Sequence, residues 1–403
     1  MKIVNILGIK ISNIKKSDLL KILPESLSGH KQHFIVTPNP EIILSAHDDE
    51  ELFYILNKAD ISLADGFGLK IAALIMGINL ERITGADLTG DLLKFARMQK
   101  LNIAVLNWEK SISTPLEIKN AILHKFPGMQ ILVKNIQRNG YMNDNDHNAL
   151  LEIARFNPSI LFVTLGAPYQ EKYIFHILHK LPSVKLAIGV GGGFDFISGK
   201  MKRAPLWIRN LGMEWLWRLV QEPWRWRRIY NAIIIFPIKF ILWRFILRFY
   251  YRPNVACFLY KREGDNYKVL LVERADRIGH WQIPQGGTDG EDINTAGRRE
   301  LEEEINCKHF KAKASFKNIH QYEFGESMGK FEVKAMIARG YKGQRQSLFI
   351  AEFTGQDNDI KLNYWEHSNW KWADVDNLIN EIYPTRRKAT ELFLKKFNTL
   401  IKN

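Results

Sequence analysis

The stretch Trp217-Arg218-Leu219-Val220-Gln221-Glu222-Pro223-Trp224-Arg225-Trp226-Arg227-Arg228 lies within the most lopsided part of the chain, Lys200 to Arg252. Twelve basic residues stand there against Glu214 and Glu222, so ten of the net +14 charges fall in this one segment, together with six of the eleven tryptophans. Arginine beside tryptophan, with isoleucine and phenylalanine runs between, is the composition of helices that lie in a bilayer interface, apolar face in the acyl boundary and cations toward anionic lipid. Its tail, Ile229 to Tyr251, is interrupted by Lys239, Arg244 and Arg248 and contains Pro237, so it does not make the roughly 20-residue apolar helix that spans a bilayer. The same composition is open to two other readings, a buried inter-domain helix pair or a nucleic-acid patch.

This segment separates two halves of different texture. A length of 403 residues suggests two or three domains, and 46% hydrophobic residues suffice for their cores. Cys257 and Cys307 are the only cysteines, which argues against a disulfide framework and for a reducing cytosol. Met1 to Lys10 lacks the pattern of an export signal.

Before the segment, apolar runs at His33 to Thr37, Ile61 to Ala64, Asn102 to Leu106, Gln130 to Val133, Ile160 to Leu165 and Leu186 to Gly189 alternate with amphipathic stretches. This is an α/β domain around a largely parallel, Rossmann-like sheet, whose ligand crevice lies beyond the carboxyl ends of the strands. Three strand ends carry candidate groups: Thr37-Pro38-Asn39, Ala64-Asp65-Gly66, and Gly166-Ala167-Pro168-Tyr169-Gln170-Glu171-Lys172. Asn39 is suited to cap the next helix, with Pro40 in its first turn. Arg82 to Asp87 lies between, and Asp87 is expected to cap the helix that follows. Gly189 to Phe194 resembles a dinucleotide fingerprint, but Phe194 stands where the third glycine belongs, which argues against a nicotinamide dehydrogenase.

These motifs, with Gly191 to Gly199, Arg203-Ala204-Pro205, and Arg218-Leu219 leading to Glu222-Pro223 and Arg225, resemble the WecG/TagA/CpsF glycosyltransferases over residues 1 to about 235. The resemblance implies inverting transfer of an N-acetylmannosamine-like sugar from a UDP donor to a polyprenyl-diphosphate-linked sugar at the cytoplasmic membrane face, with the basic tail as an appendage that completes the site. Such chemistry needs one general base, and Asp65 is the best-placed carboxylate; Thr37 would share its crevice. Asn39, Arg82, Asp87, Gln170 and Glu171 are further substrate-binding candidates. No DxD-like acidic pair stands near the expected crevice, so arginines rather than a metal are expected to meet the departing UDP, with Arg218, Arg225 and Arg228 as candidates.

Beyond Arg252, strand patterns at Val255 to Tyr260, Lys268 to Val272, Phe331 to Ala338 and Ser347 to Phe353 surround one acidic helix. Glu300, Glu303 and Glu304 stand at i, i+3 and i+4, so their carboxylates share a face, and all-oxygen ligation suits Mg²⁺ or Mn²⁺. With Gly286, Gly287, Glu291 and Arg299 this resembles the Nudix box, one residue short between Gly286 and Glu291 and with Asn306 in place of the final glycine. Tyr251 to Val255, Trp281 to Gly287, Gly343 to Gln346 and Glu366 to Trp372 narrow the resemblance to RNA pyrophosphohydrolases and dinucleoside polyphosphate hydrolases, of an α+β fold. It implies Glu303 and Glu366 as catalytic, Glu366 as a further metal ligand or base, and Arg252, Gln344 and Gln346 against phosphates or base of a nucleoside polyphosphate or RNA 5′ end.

The organisation expected is thus a transferase domain over 1–200, an amphipathic appendage over 201–250 and a hydrolase domain over 251–403. The protein would be peripheral at the inner face of an anionic membrane, with homo-oligomer formation left open. Two other readings are a transferase with a non-hydrolysing nucleotide-binding module, and an RNA-associated pyrophosphohydrolase.

Overall fold

The computed structural model describes residues 2–138, 144–324 and 340–402; the strand expected over Phe331 to Ala338 lies outside them. The chain divides into two compact units, Met1–Ile241 and Leu242–Asn403.

In the first unit, β1 (Lys2–Ile6) and β2 (Ile9–Asn13) form an antiparallel hairpin. The main sheet has six strands in the order β4-β3-β8-β7-β5-β6, every pairing parallel. They are β3 (His33–Val36), β4 (Ile61–Ser62), β5 (Ile103–Trp108), β6 (Ile131–Ile136), β7 (Ile160–Val163) and β8 (Leu186–Gly189). All six coincide with the expected runs to within a few residues. Their side chains are nearly all apolar because both faces are covered: Ile35, Val105, Phe162 and Ile188 meet helix residues Leu88, Leu92, Ile118 and Ile122 in one core. Four helices matter for the site: α1 (Pro40–His47), α2 (Phe67–Ile75), α3 (Gly85–Met98) and α4 (Tyr169–Ile177). α1, α2 and α4 begin in the loops just past β3, β4 and β7, and α3, which follows α2, begins where Gly85 meets Asp65, so their first turns line the carboxyl edge of the sheet.

The basic segment forms short helices, including α5 (Glu214–Gln221) and α6 (Phe236–Ile241). Among the described residues no helix is long and apolar enough to cross a membrane. Trp207, Trp215, Trp224 and Trp226 are exposed, whereas Trp243 is buried within the second unit.

The second unit holds a seven-stranded mixed sheet: β9 (Tyr251–Glu263), β10 (Asn266–Arg274), β11 (Trp281–Gln282), β12 (Gln285–Gly287), β13 (Phe310–Glu323), β14 (Gly343–Phe353) and β15 (His367–Asp374). Among the described strands of this sheet, only β14 and β9 pair in parallel. Alternate residues of β9 face opposite sides, Val255, Cys257 and Leu259 toward the acidic helix α7 (Ile293–Ile305) and Ala256, Phe258 and Tyr260 toward the C-terminal helix α8 (Arg387–Lys402). Cys257 and Cys307 are buried free thiols.

Helix α7 seats tightly because Gly297 has no side chain: a Cβ there would lie 2.4 Å from the ring of Phe349, itself fully buried. Gly297→Ala should therefore lower the denaturant midpoint of the second unit by an amount equivalent to about 1–3 kcal/mol, despite alanine's better helix propensity. An unchanged midpoint in urea unfolding would contradict this packing.

Candidate functional sites

At the end of β3, Thr37 is buried, and at the end of β4 the Asp65 carboxylate accepts the Gly85 amide at 3.2 Å. A Cβ on Gly85 would stand 3.2 Å from Thr37 Oγ1 and 3.8 Å from Asp65 Oδ2, so the two side chains converge on the first residue of α3. Burial raises the Asp65 carboxyl above its ordinary value, opposed by the Gly85 amide and by the charges of Arg82 and Arg218, with Glu214 adding to the rise. Arg82 reaches Glu214 at 2.5 Å and Arg218 reaches the same carboxylate at 3.6 Å. Two arginines are thereby tethered beside Asp65 through one acid of α5.

Asn39 caps α1, accepting from Ile42 N at 2.9 Å, with Pro40 at the first position as expected. Asp87 departs from expectation. Thr84 is the cap of α3, and Asp87 sits in its first turn, bonded to Thr84 Oγ1 at 2.6 Å and paired with Arg203 at 2.6 Å and Arg209 at 3.4 Å. Threonine is itself a favoured cap, which frees the carboxylate to hold the start of the basic segment. Burial works to raise Asp87, but the hydrogen bonds from Arg203 and Thr84 prevail and hold it below the ordinary value. Arg225 pairs with Glu222 at 2.7 Å, and Arg228 bonds both oxygens of Glu41 at 2.6 and 2.7 Å. The cleft beside these groups is lined by Phe67, Lys70, Arg82, Asp87, Leu206 and Arg209, among others; Thr37 and Asp65 are not among its lining residues.

Gln170 and Glu171 are buried rather than presented to solvent. The Gln170 carbonyl accepts from Gly166 N at 3.2 Å and Gly191 N at 2.9 Å, tying together the loops after β7 and β8, while its amide donates to Glu171 at 2.8 Å. Residues not singled out in the sequence complete this edge. Asp195, buried, accepts from Ser113 at 2.6 Å, and the Arg138 guanidinium lies 3.4 Å from the Trp108 ring centroid while donating to Leu165 O at 2.6 Å. No local spacing announces them; they meet only through strand order.

In the second unit the short loop does not displace Glu291. Asp289 and Gly290 turn it at φ 48° and 87°, and Arg299 holds Glu291 at 2.9 Å, Glu300 at 2.9 Å, Glu303 at 2.8 Å and Gly287 O at 2.7 Å. Asn306 ends α7 in the left-handed conformation, φ 50°, a geometry asparagine tolerates. Glu300 is buried against Gly286, where a Cβ would fall 1.8 Å from its Oε2. Glu304, also buried, accepts from Gln285 N at 3.1 Å and contacts His367 Nε2 at 3.2 Å, and ligand atoms of Glu304, Glu366 and His367 lie within 4.8 Å of one another. The three acids of α7 thus divide: Glu300 and Glu303 share Arg299, and Glu304 joins Glu366. Buried Glu304 and half-buried Glu366, with ligand atoms this close together, fit a hard divalent cation, which would offset their repulsion.

Arg252 approaches Gly287, and beside it across the parallel pairing stands buried Gln344, which accepts from Tyr322 Oη at 2.5 Å. Gln346 bridges Gln285 at 2.7 Å and His320 at 3.1 Å. Sequence reading missed Arg386. It is 5% exposed, donates through Nη1 to Tyr322 Oη at 2.8 Å, and its Nε and Nη2 find no hydrogen-bond partner among the described residues. Nearby His280 is pushed down to about 3 by burial and by the charges of Arg386, Arg274 and Arg277.

Comparison with known proteins follows the same division. Residues 4–249 match the glycosyl transferase WecG/TagA/CpsF family, and residues 250–393 match the NUDIX domain. An N-acetylglucosaminyldiphosphoundecaprenol N-acetyl-beta-D-mannosaminyltransferase of Bacillus subtilis is 37% identical over 196 residues, 48% of this chain and 74% of that protein. The enzyme of that name from Staphylococcus aureus is 28% identical over 241 residues, 59% of this chain and 91% of its own. An RNA pyrophosphohydrolase of Wolbachia pipientis is 33% identical over 157 residues, 38% of this chain and 92% of that protein.

Glu171 supplies a pH test of the first site. Burial raises its carboxyl from 4.5 to about 7, so the folded chain keeps a proton that the unfolded chain has lost. Stability should fall as pH rises from 4.5 through about 7, and the loss is complete above that. Glu171→Gln removes this slope, shifting the stability difference in favour of the variant by up to about 3 kcal/mol between pH 4.5 and 8. Parallel pH–stability curves in urea unfolding would contradict it.

Proposed function

Because the chain belongs to the WecG/TagA/CpsF glycosyltransferase family and carries a NUDIX domain as its second unit, we propose that it is a bifunctional enzyme with a transferase body over 1–200, a membrane-facing appendage over 201–250 and a hydrolase over 251–403. The transferase moves an N-acetylmannosamine-like sugar from a UDP donor to a polyprenyl-diphosphate-linked N-acetylglucosamine, and the hydrolase cleaves a diphosphate bond in a nucleoside polyphosphate or RNA 5′ end. The observation that carries the first reading is the convergence of Thr37 and Asp65 on Gly85.

In the transfer step Asp65 takes the proton of the acceptor hydroxyl as its oxygen attacks the anomeric carbon from the face opposite UDP, so the configuration inverts. Thr37 orients the hydroxyl, and Arg218 meets charge developing on the departing diphosphate. The exposed tryptophans at 207, 215, 224 and 226, interleaved with arginines, support docking on an anionic membrane from the cytoplasmic side.

In the hydrolase, Glu300, Glu303, Glu304 and Glu366 would hold Mg²⁺ or Mn²⁺, which supplies charge neutralisation and orientation for attack on phosphorus. Arg299 fixes Glu300 and Glu303 in place. Arg252 and Arg386, the latter with two buried donors that have no partner among the described residues, take substrate phosphates.

Asp65→Asn should lower transfer about 10²–10⁴-fold while leaving pyrophosphate release intact. Glu300→Gln should do the reverse. Measured with UDP-sugars and a polyprenyl-diphosphate acceptor for one activity, and a 5′-triphosphorylated RNA or nucleoside polyphosphate for the other, any variant that loses both or neither would contradict the assignment.

A further inference from the structure

Helix α2 opens directly after Asp65 and carries an apolar stripe that the protein itself does not cover. Leu69, Ala72 and Ala73 face the core. On the other side Ile71, Leu74 and Ile75 are 45%, 67% and 49% exposed, and together with the half-buried Phe67 they recur at helical spacing. The stripe runs about 12 Å outward from the Asp65 end. At that end Phe67 packs on Gly212 and lines the cleft with Leu206, Arg82 and Arg209. Lys70, also lining the cleft, is exposed and has no carboxylate partner among the described residues, unlike Arg82 and Arg209, which are paired. Helix α6 packs beside α2 where Phe236 approaches Gly68, and it exposes Ile238 and Ile241 in turn.

An exposed stripe of three large aliphatic side chains is costly in water unless something covers it. We infer that α2 is the track for the acceptor's lipid: Lys70 pairs with the diphosphate at the cleft, and Ile71, Leu74 and Ile75 lie against the first isoprene units of the chain. This rests on the reading of the first unit as a transferase to a lipid-linked sugar. The order of groups along the helix matches the order along such a molecule: Asp65 for the sugar hydroxyl, then the unpaired cation for the diphosphate, then the apolar stripe for the prenyl chain. A second copy of the protein would have use for the stripe but none for an unpaired lysine at its cleft end.

The test uses the full chain with a photoreactive polyprenyl diphosphate, without sugar, in phosphatidylcholine vesicles. Crosslinks should map to residues 67–75 and fall at least about tenfold in Ile71→Gln/Leu74→Gln/Ile75→Gln, a loss in keeping with the apolar area removed. In the same triple variant kcat/KM should drop similarly for a long-chain acceptor and stay unchanged for a short, water-soluble one, whereas Lys70→Glu should impair both. All these side chains are exposed, and an unchanged unfolding midpoint confirms the fold. Crosslinks elsewhere, or a triple variant equal to wild type, overturn the inference. So does a triple variant that changes only the sedimentation of the protein, since the stripe is then a contact between copies. If wild type crosslinks at 67–75 yet transfers no sugar, the proposed activity fails and the lipid-diphosphate site stands.

Discussion

Both sites depend on a carboxylate pressed against peptide backbone where a glycine leaves no side chain in the way. Gly85 allows Thr37 and Asp65 to meet at the start of α3, and Gly286 allows Glu300 to lie across the loop before α7. Desolvation follows from such close approach. A buried carboxylate is tolerated only with donors or cations at hand, and each site supplies them: the Gly85 amide with Arg82 and Arg218 for Asp65, Arg299 for Glu300.

The same constraint explains how the basic segment is used. Glu214 tethers Arg82 and Arg218, Asp87 tethers Arg203 and Arg209, and Glu41 tethers Arg228. These pairs fasten the segment to the crevice edge. Lys202, Arg227 and Lys239 have no carboxylate partner among the described residues, and the exposed Trp226 and Ile238 stand next to the latter two in the chain.

The parallel sheet was legible because six buried strands read as uninterrupted apolar runs, and the box around α7 because its spacing is local. Asn39 and Asn306 behave as their chemistry suggests. The β1–β2 hairpin was not legible: Leu7 and Gly8 turn it at φ 51° and 87°, where asparagine-glycine is the usual signal, and a leucine there hides it. Strand β13 was missed because Lys311, Lys313 and Lys317 alternate with Phe310, Ala312 and Phe316, a half-exposed pattern less conspicuous than an apolar run. Asp87 was read as a cap because an acid where a helix begins is a favoured cap; Thr84, three residues earlier, took the role. Arg386 was out of reach, since its partner Tyr322 lies 64 positions away and only sheet order brings them together.

The central claim is that a desolvated Asp65 is the base of the transfer reaction. The most direct test is the pH dependence of kcat/KM for sugar transfer. A base must be ionised to accept a proton, and burial raises this one, so the rate should climb with pH through a value above the ordinary carboxylate range and then level. A rate flat across the acidic range, with activity undiminished where Asp65 is protonated, would contradict the account.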